Sequence, residues 1–268
     1  LFMGDNGENG ASVEAIFPIL QDGLKTTSYG TTLYLMAGSN DNSEHIKSAT
    51  IAGNSTTGGW AGNRMRPDLV LKFFPNNDAP NVAAYAMPAA ADDDRALFDG
   101  EGRNVGNGDD EKGVKVFTNG FSVCKFNNFK TDGSAGHNSL FPDADFFLMR
   151  AAEAYLMYAE ADARQNNGTT TAQGTAYINA LRTRANAATQ TAYSLRQICD
   201  EWSREFYFEG LRRTTLIRFG YFGGNVNYNW SWKGGVKSGR NFDSHLNLFP
   251  IPTSDMVANS NLIQNTGY

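Results

Sequence analysis

The run DADFFLMRAAEAYLMYAEADARQNNG, residues 143–168, constrains the fold more than any other part of the chain. It is apolar or small almost all round, and it lacks the alternation that a half-buried strand would show. It predicts a long helix buried between others, started by Asp143 or Asp145 as an N-cap and stopped at Gly168. Such a helix must be surrounded, and the following residues supply partners. Residues 171–184 set Ile178, Leu181 and Ala185 along one face. Residues 194–209 carry Leu195, Ile198, Trp202 and Phe206 at i, i+3, i+7 and i+11, with Gly210 ending the helix. A short helix over 212–219 follows at once. Ala-rich helices joined by short links predict a mostly α fold with a tetratricopeptide-like helical scaffold, although that repeat's consensus is not legible.

Residues 1–142 have a different character, rich in Gly, Asn, Asp, Thr and Ser. EAIFPIL (14–20) and TTLYLMAG (31–38) read as short strands or extended segments between turns. RPDLVLKFFP (66–75) reads as a short helix, with Pro67 at an early position and Pro75 closing it. Residues 86–113 read as mostly loop with one helical turn at DDDRALF, and VKVFTNGFSVCKF (114–126) as a hairpin around Asn119-Gly120. The expected organisation is a loop-rich ligand-binding region with short helices and strands over 1–142 and a helical region over 143–268, together one compact unit.

Composition removes several function classes. With 268 residues, 41% hydrophobic and 12% aromatic, the chain can bury a core, which argues against disorder. A net charge of −5 leaves no basic surplus to neutralise phosphates, so nucleic acid is not an expected partner. No run of about 18 apolar residues exists to span a bilayer as a helix. The opening LFMGDNGENG has no initiator Met, charged n-region or apolar h-region, so any export signal is removed or lies upstream, and the sequence reads as a piece of a longer protein. Cys124 and Cys199 belong to no CxxC or Cys/His pattern; a long-range disulfide and two free thiols both stay open.

The stretch EWSREFYFEGLRRTTLIRFG (201–220) crowds acids and bases together and raises the question of catalysis. Glu201, Glu205 and Glu209 recur at i+4, Arg204 follows Glu201 by three, and Arg212 and Arg213 follow Glu209 by three and four. With Glu153 and Glu160 on the long helix and Arg182 and Arg184 on the next, the spacing favours a structural ion-pair network of Glu153, Glu160, Arg182, Arg184, Arg204, Glu205, Glu209 and Arg212 over catalytic carboxylates. No GxSxG, HExxH, Walker A or GxGxxG is present, and His45, His137 and His245 stand far apart. Glycoside hydrolysis by two carboxylates leaves no short signature and stays as an alternative. The acids at 92–94 and 109–111 lack EF-hand spacing and read as solvated loop charge, so no metal, cofactor or catalytic residue is assigned.

The aromatic loops point elsewhere. Trp60 lies in NSTTGGWAGNRMRP between glycines and next to Asn63 and Arg64, and Tyr29 stands beside Gly30. Small neighbours leave an indole protruding, and a flat ring flanked by amide and guanidinium donors suits sugar binding, so Tyr29, Trp60, Asn63 and Arg64 are the candidate glycan-binding residues. The competing reading turns Trp60 inward as a loop plug. For GYFGGNVNYNWSWKGG (220–235), with Trp230 and Trp232, a packed loop is the preferred reading.

FFLMRAAEAYLMYAEADAR, YINALRTRAN, EWSREFYFEGLRRTTLIRFG and LFPIPTSDMVANSNLIQNTGY, in that order and spacing, resemble the C-terminal half of SusD/RagB-family proteins. EAIFPILQDGLKTTSYGTTLYL and GGWAGNRMRPDLVLKFF carry the resemblance back to about residue 14. The chain departs from the family pattern at Thr215, where an Asp is usual, and at Thr266, where a Pro is usual. The resemblance implies a non-enzymatic glycan-binding lipoprotein of the Bacteroidetes outer membrane, surface-exposed through a lipid anchor outside this sequence. Its implied partners are an oligosaccharide, with an α-glucan such as starch the first expectation, and a TonB-dependent SusC-like transporter. Members that serve as lids for peptide import define a further alternative.

Overall fold

The structure is a computed structural model that describes residues 1–27, 32–39, 60, 62–105, 119–138, 140–224, 226 and 228–268. Within it the chain forms two compact units, residues 1–209 and 210–268.

The first unit runs through β1 (Ala15–Ile19), α1 (Thr32–Ala37), α2 (Pro67–Phe73), α3 (Met87–Ala91), β2 (Phe98–Asp99), β3 (Ser122–Val123), β4 (Phe146–Arg150), α4 (Ala151–Gln165), α5 (Ala172–Arg184) and α6 (Leu195–Phe206). The chain is predominantly helical among the described residues, with two small antiparallel sheets, β1 with β4 and β2 with β3.

The helices behave much as their sequence dictates. Ser194 caps α6 in a reciprocal capping box with Gln197, and Ile198, Trp202 and Phe206 are buried. Thr171 sits at the N-terminus of α5, but its amide and hydroxyl donate to Asp162 of α4, both at 2.7 Å, instead of capping its own helix. This draws α5 onto α4, and Gly174 permits the approach, because a Cβ there would lie 2.2 Å from Asp162 Oδ2. Cys124 and Cys199 are both buried and are not joined in a disulfide.

Three expectations change. The long helix begins at Ala151, because residues 146–150 pair as a strand with β1, Ile19 opposite Phe146 and Ala15 opposite Arg150. Asp143 and Asp145 cap nothing. Asp143 accepts from the amides of Gly23 (2.8 Å) and His137 (2.7 Å), and Asp145 accepts from that of Gln21 (2.7 Å), so they tether loops instead. The helix is also not buried all round, since Met157 and Tyr158 are about half exposed.

Residues 32–37, read as extended, form helix α1. Leu33, Met36 and Ala37 then fall on one face, i, i+3 and i+4, and pack on Phe126 and Ala144. Burial of that face outweighs the weak β-like run of Thr and Leu. The mostly-loop reading of 86–113 omitted α3, which Pro88 starts and a left-handed Asp92 ends. Residues 114–118 of the expected hairpin lie outside the described residues; Ser122–Val123 pairs with Phe98–Asp99. The second core gathers around that pairing, with Met65, Val70, Phe73, Met87, Phe121 and Tyr207 closing on Phe98.

The second unit contains α7 (Arg212–Arg218) and α8 (Thr253–Ala258). Thr215 and Leu216 of α7 are buried. Trp230 packs against Phe222 and Phe242, and the Lys233 ammonium lies 4.6 Å above the Trp230 ring while donating to the Tyr228 carbonyl. This is a loop organised around its own aromatic rings.

Candidate functional site

Two groups of residues compete for a functional role, and burial separates them. The centre of the charged group is sealed, with Arg150, Glu201 and Glu205 buried and Arg184 reaching it from the surface. Arg150, at the end of β4, donates to Glu14 and Glu205 at 2.6 Å each, and its Nε donates to Glu209 at 2.8 Å. Arg184 of α5 joins Glu14 (2.8 Å) and Glu205 (2.5 Å). Glu201 accepts from Arg95 at 2.8 Å, from Arg182 at 2.7 Å and from Arg204 at 2.6 Å. Arg95 also reaches Glu205 at 3.0 Å and Asp93 at 2.8 Å, so the two carboxylate centres form one connected cluster. Lys125 completes it with Glu209 at 2.5 Å and the carbonyls of Glu205 and Tyr207, both at 2.9 Å.

Electrostatics follow from this geometry. Burial on its own would raise the Glu201 carboxyl, but Arg204, Arg95 and Arg182 outweigh it and hold the group at about 2. Glu205 is driven down further against the same burial by Arg150, Arg184 and Arg95. Burial lowers Lys125 to about 8, opposed by Glu209. A carboxylate that is 0–2% exposed, ionised at neutral pH and saturated with guanidinium donors has no proton to give and no substrate to meet. The helix carboxylates Glu201 and Glu205 therefore cannot serve as the acid and base of a glycosidase.

The predicted members of this network distribute unevenly. Arg182, Arg184, Arg204, Glu205 and Glu209 meet within it. Glu160 is held by Arg164 on its own helix at 2.9 Å, and Arg212, in the second unit, donates to the Tyr228 hydroxyl at 2.5 Å. Glu153 lies in the first turn of α4. Sequence spacing missed Glu14, Asp93, Arg95, Lys125 and Arg150. For Arg150 a signal existed, a lone arginine inside FFLMRAAEA that had to find partners.

The open group is aromatic. Trp60 is 54% exposed and Tyr34 is 53% exposed, with ring centroids 5.3 Å apart and planes tilted by 51°. Trp60 is therefore no inward plug. Asn63 is exposed beside it, and Arg64 donates from Nη1 to the Asn63 carbonyl (2.7 Å) and from Nε to the Asn119 carbonyl (2.8 Å). Tyr29 lies outside the described residues, as do His45 and the acids at 109–111. Tyr34 was missed because 31–38 read as extended; plotted as a helix, it falls off the face made by Leu33, Met36 and Ala37.

Other polar groupings are less suited to a ligand. Asp22, His137 and Asp143 bring ligand atoms within 4.8 Å of one another, yet both Asp143 oxygens already accept from amides or the His137 ring. Asp93 is paired with Arg95, and Asp94 accepts from Asn186 at 2.6 Å. An open groove of about 450 Å³ lined by Asp5, Glu8, Asn9, Lys130, Thr131 and Asp132 contains no ring on which a sugar could stack.

A helical scaffold cemented by buried arginine–carboxylate contacts and presenting a solvent-facing Tyr–Trp pair defines a protein built around a surface, with its charge spent on the interior. Its sequence matches the SusD family profile over residues 98–268, and the chain belongs to that family. It is 39% identical over 300 aligned residues to the starch-binding protein SusD of Bacteroides thetaiotaomicron, an alignment covering 100% of this chain and 52% of the relative. The chain thus spans about half the length of that curated relative. Among solved structures, a SusD-like protein from Bacteroides fragilis superposes with a TM-score of 0.62 at 17% identity, covering 100% of this chain and 56% of the other. Surface glycan-binding protein A from Bacteroides thetaiotaomicron gives 0.57 at 20% identity, covering 98% of this chain and 54% of the other. At these identities the two structures establish the shared fold.

Proposed function

We propose that this chain is the C-terminal half of a cell-surface protein that binds glycan without cleaving it and delivers it to a TonB-dependent SusC-like transporter in the outer membrane. The observation that carries the reading is the exposed, tilted Tyr34–Trp60 pair. Apolar sugar faces stack on such rings, while the exposed Asn63 beside them, whose carbonyl Arg64 braces, offers an amide to sugar hydroxyls. Starch is the first ligand to try, since the 39%-identical relative is named for binding it. No described helix is long and apolar enough to cross a membrane. By its likeness to the family, this reading gives the protein a lipid anchor outside these residues.

The test is affinity electrophoresis through native gels containing soluble starch, alongside a panel of other soluble glycans and a peptide mixture. Trp60→Ala should weaken binding about tenfold, the loss of roughly 1.4 kcal/mol from one stacked ring. The same far-UV circular dichroism as the parent is expected, because a half-exposed side chain contributes little to the core. Unchanged glycan binding by this variant would exclude Trp60 from the site. Retention of peptides and of no glycan would favour the peptide-import lid.

A further inference from the structure

The two rings of the proposed site are carried by different segments, so their mutual tilt is set by whatever holds one segment to the other. That junction is the C-terminal end of α1. Helix ends leave carbonyls without intrahelical partners, and here the Trp60 loop takes them. The Trp60 amide donates to the Ala37 carbonyl at 2.6 Å, and the amides of Gly62 and Asn63 both donate to the Gly38 carbonyl, at 2.8 and 2.6 Å. The loop's far side is fixed to the β3 region. Arg64 forms a bridge with Ser122, the Met65 amide donates to the Phe121 carbonyl at 2.9 Å, and the Ser122 hydroxyl donates to the Ser39 carbonyl.

Gly38 is buried at the centre of this seat. Its backbone is not in the left-handed region, so glycine is not there to satisfy a positive φ. Space explains it. A Cβ at this position would lie 2.5 Å from the Asn63 side-chain nitrogen and 2.8 Å from the Tyr34 carbonyl, both well inside van der Waals contact. A side chain at residue 38 would crowd the Tyr34 carbonyl and must displace the Asn63 side chain, whose own backbone amide helps hold the Trp60 loop to the end of the helix that carries Tyr34.

We infer that Gly38 is a positioning residue of the glycan site, whose missing side chain lets the Ala37 and Gly38 carbonyls hold Trp60 at its angle to Tyr34. Being buried, it touches no ligand itself. Its consequence for binding rests on the reading of the Tyr34–Trp60 pair as the glycan surface.

Gly38→Ala tests this in the full 268-residue chain. Two readouts are taken. One is retardation by soluble starch; the other, which needs no ligand, is the part of the near-UV circular dichroism that Trp60→Ala removes from the parent. Gly38→Ala should lose that near-UV component and bind starch at least about tenfold more weakly, with far-UV dichroism retained. Adding Asn63→Gly empties the same space from the loop side, and the double variant should regain the near-UV component. Affinity within about twofold of the parent together with an unchanged near-UV spectrum in Gly38→Ala overturns the inference. A folded double variant without the component overturns it too, and it decides the matter alone if the single variant does not fold. Trp60→Ala binding starch as tightly as the parent would instead remove the glycan reading, leaving the positioning role to be judged by the near-UV signal.

Discussion

Glu201→Gln should be among the most destabilising size-preserving substitutions in the molecule, and the structure sets both its magnitude and its pH dependence. The side chain is fully buried and accepts from three arginines, Arg95, Arg182 and Arg204. Its carboxyl falls from an ordinary 4.5 to about 2, and at roughly 1.4 kcal/mol per pH unit that drop corresponds to roughly 3 kcal/mol of native-state stability at neutral pH. Breaking one partner out of a buried pair independently suggests about 3–5 kcal/mol. Because the folded value is depressed, the contribution is complete above the unfolded value of 4.5 and is lost as pH falls through about 2. Urea unfolding of parent and variant at pH 7 should therefore differ by about 3 kcal/mol, or roughly 6–12 °C in melting temperature. The gap should close progressively below pH 4.5. A difference below about 1 kcal/mol at pH 7, or one that does not change between pH 7 and pH 3, would refute the claim that three guanidiniums hold this charge.

Lys125 gives a pH dependence of the same sign for a different reason, burial of its charged form. Burial lowers it to about 8 from 10.5, so the unfolded chain binds the extra proton between those values and parent stability should rise as pH climbs from 8 to 10.5. Lys125→Met should abolish that rise, measured as urea midpoints across the window. Ser194→Ala removes the capping box of α6 and should cost about 1 kcal/mol by the same unfolding assay at any pH from 6 to 8, since neither Ser194 nor Gln197 titrates. A loss no larger than that of a surface Ser→Ala substitution elsewhere would show that the box contributes nothing.

What could be read from the chain and what could not divides by distance along it. Helical periodicity and the stiffness of proline are local, so the buried face of α6 and the helix begun by Pro67 are visible in a few neighbouring residues. Burial of Asp143 and Asp145 is not local, because their partners at Gly23 and Gln21 are 120 and 124 residues away. The same holds for the ion pairs. Glu205 meets Arg150 at a separation of 55 residues and Arg95 at 110, and no helical spacing reports on either.

The aromatic site shows both halves at once. The glycines around Trp60 already leave it little to bury against, and helical periodicity already gives the scaffold behind it. Which ring Trp60 faces emerges only in the folded chain. A strand reading of residues 31–38 hides Tyr34 among alternating apolar residues, whereas packing of Leu33, Met36 and Ala37 against Phe126 and Ala144 winds them into a helix and turns Tyr34 outward. Periodicity is written in neighbouring residues, while the burial energy that selects between two short-range periods comes from residues far along the chain.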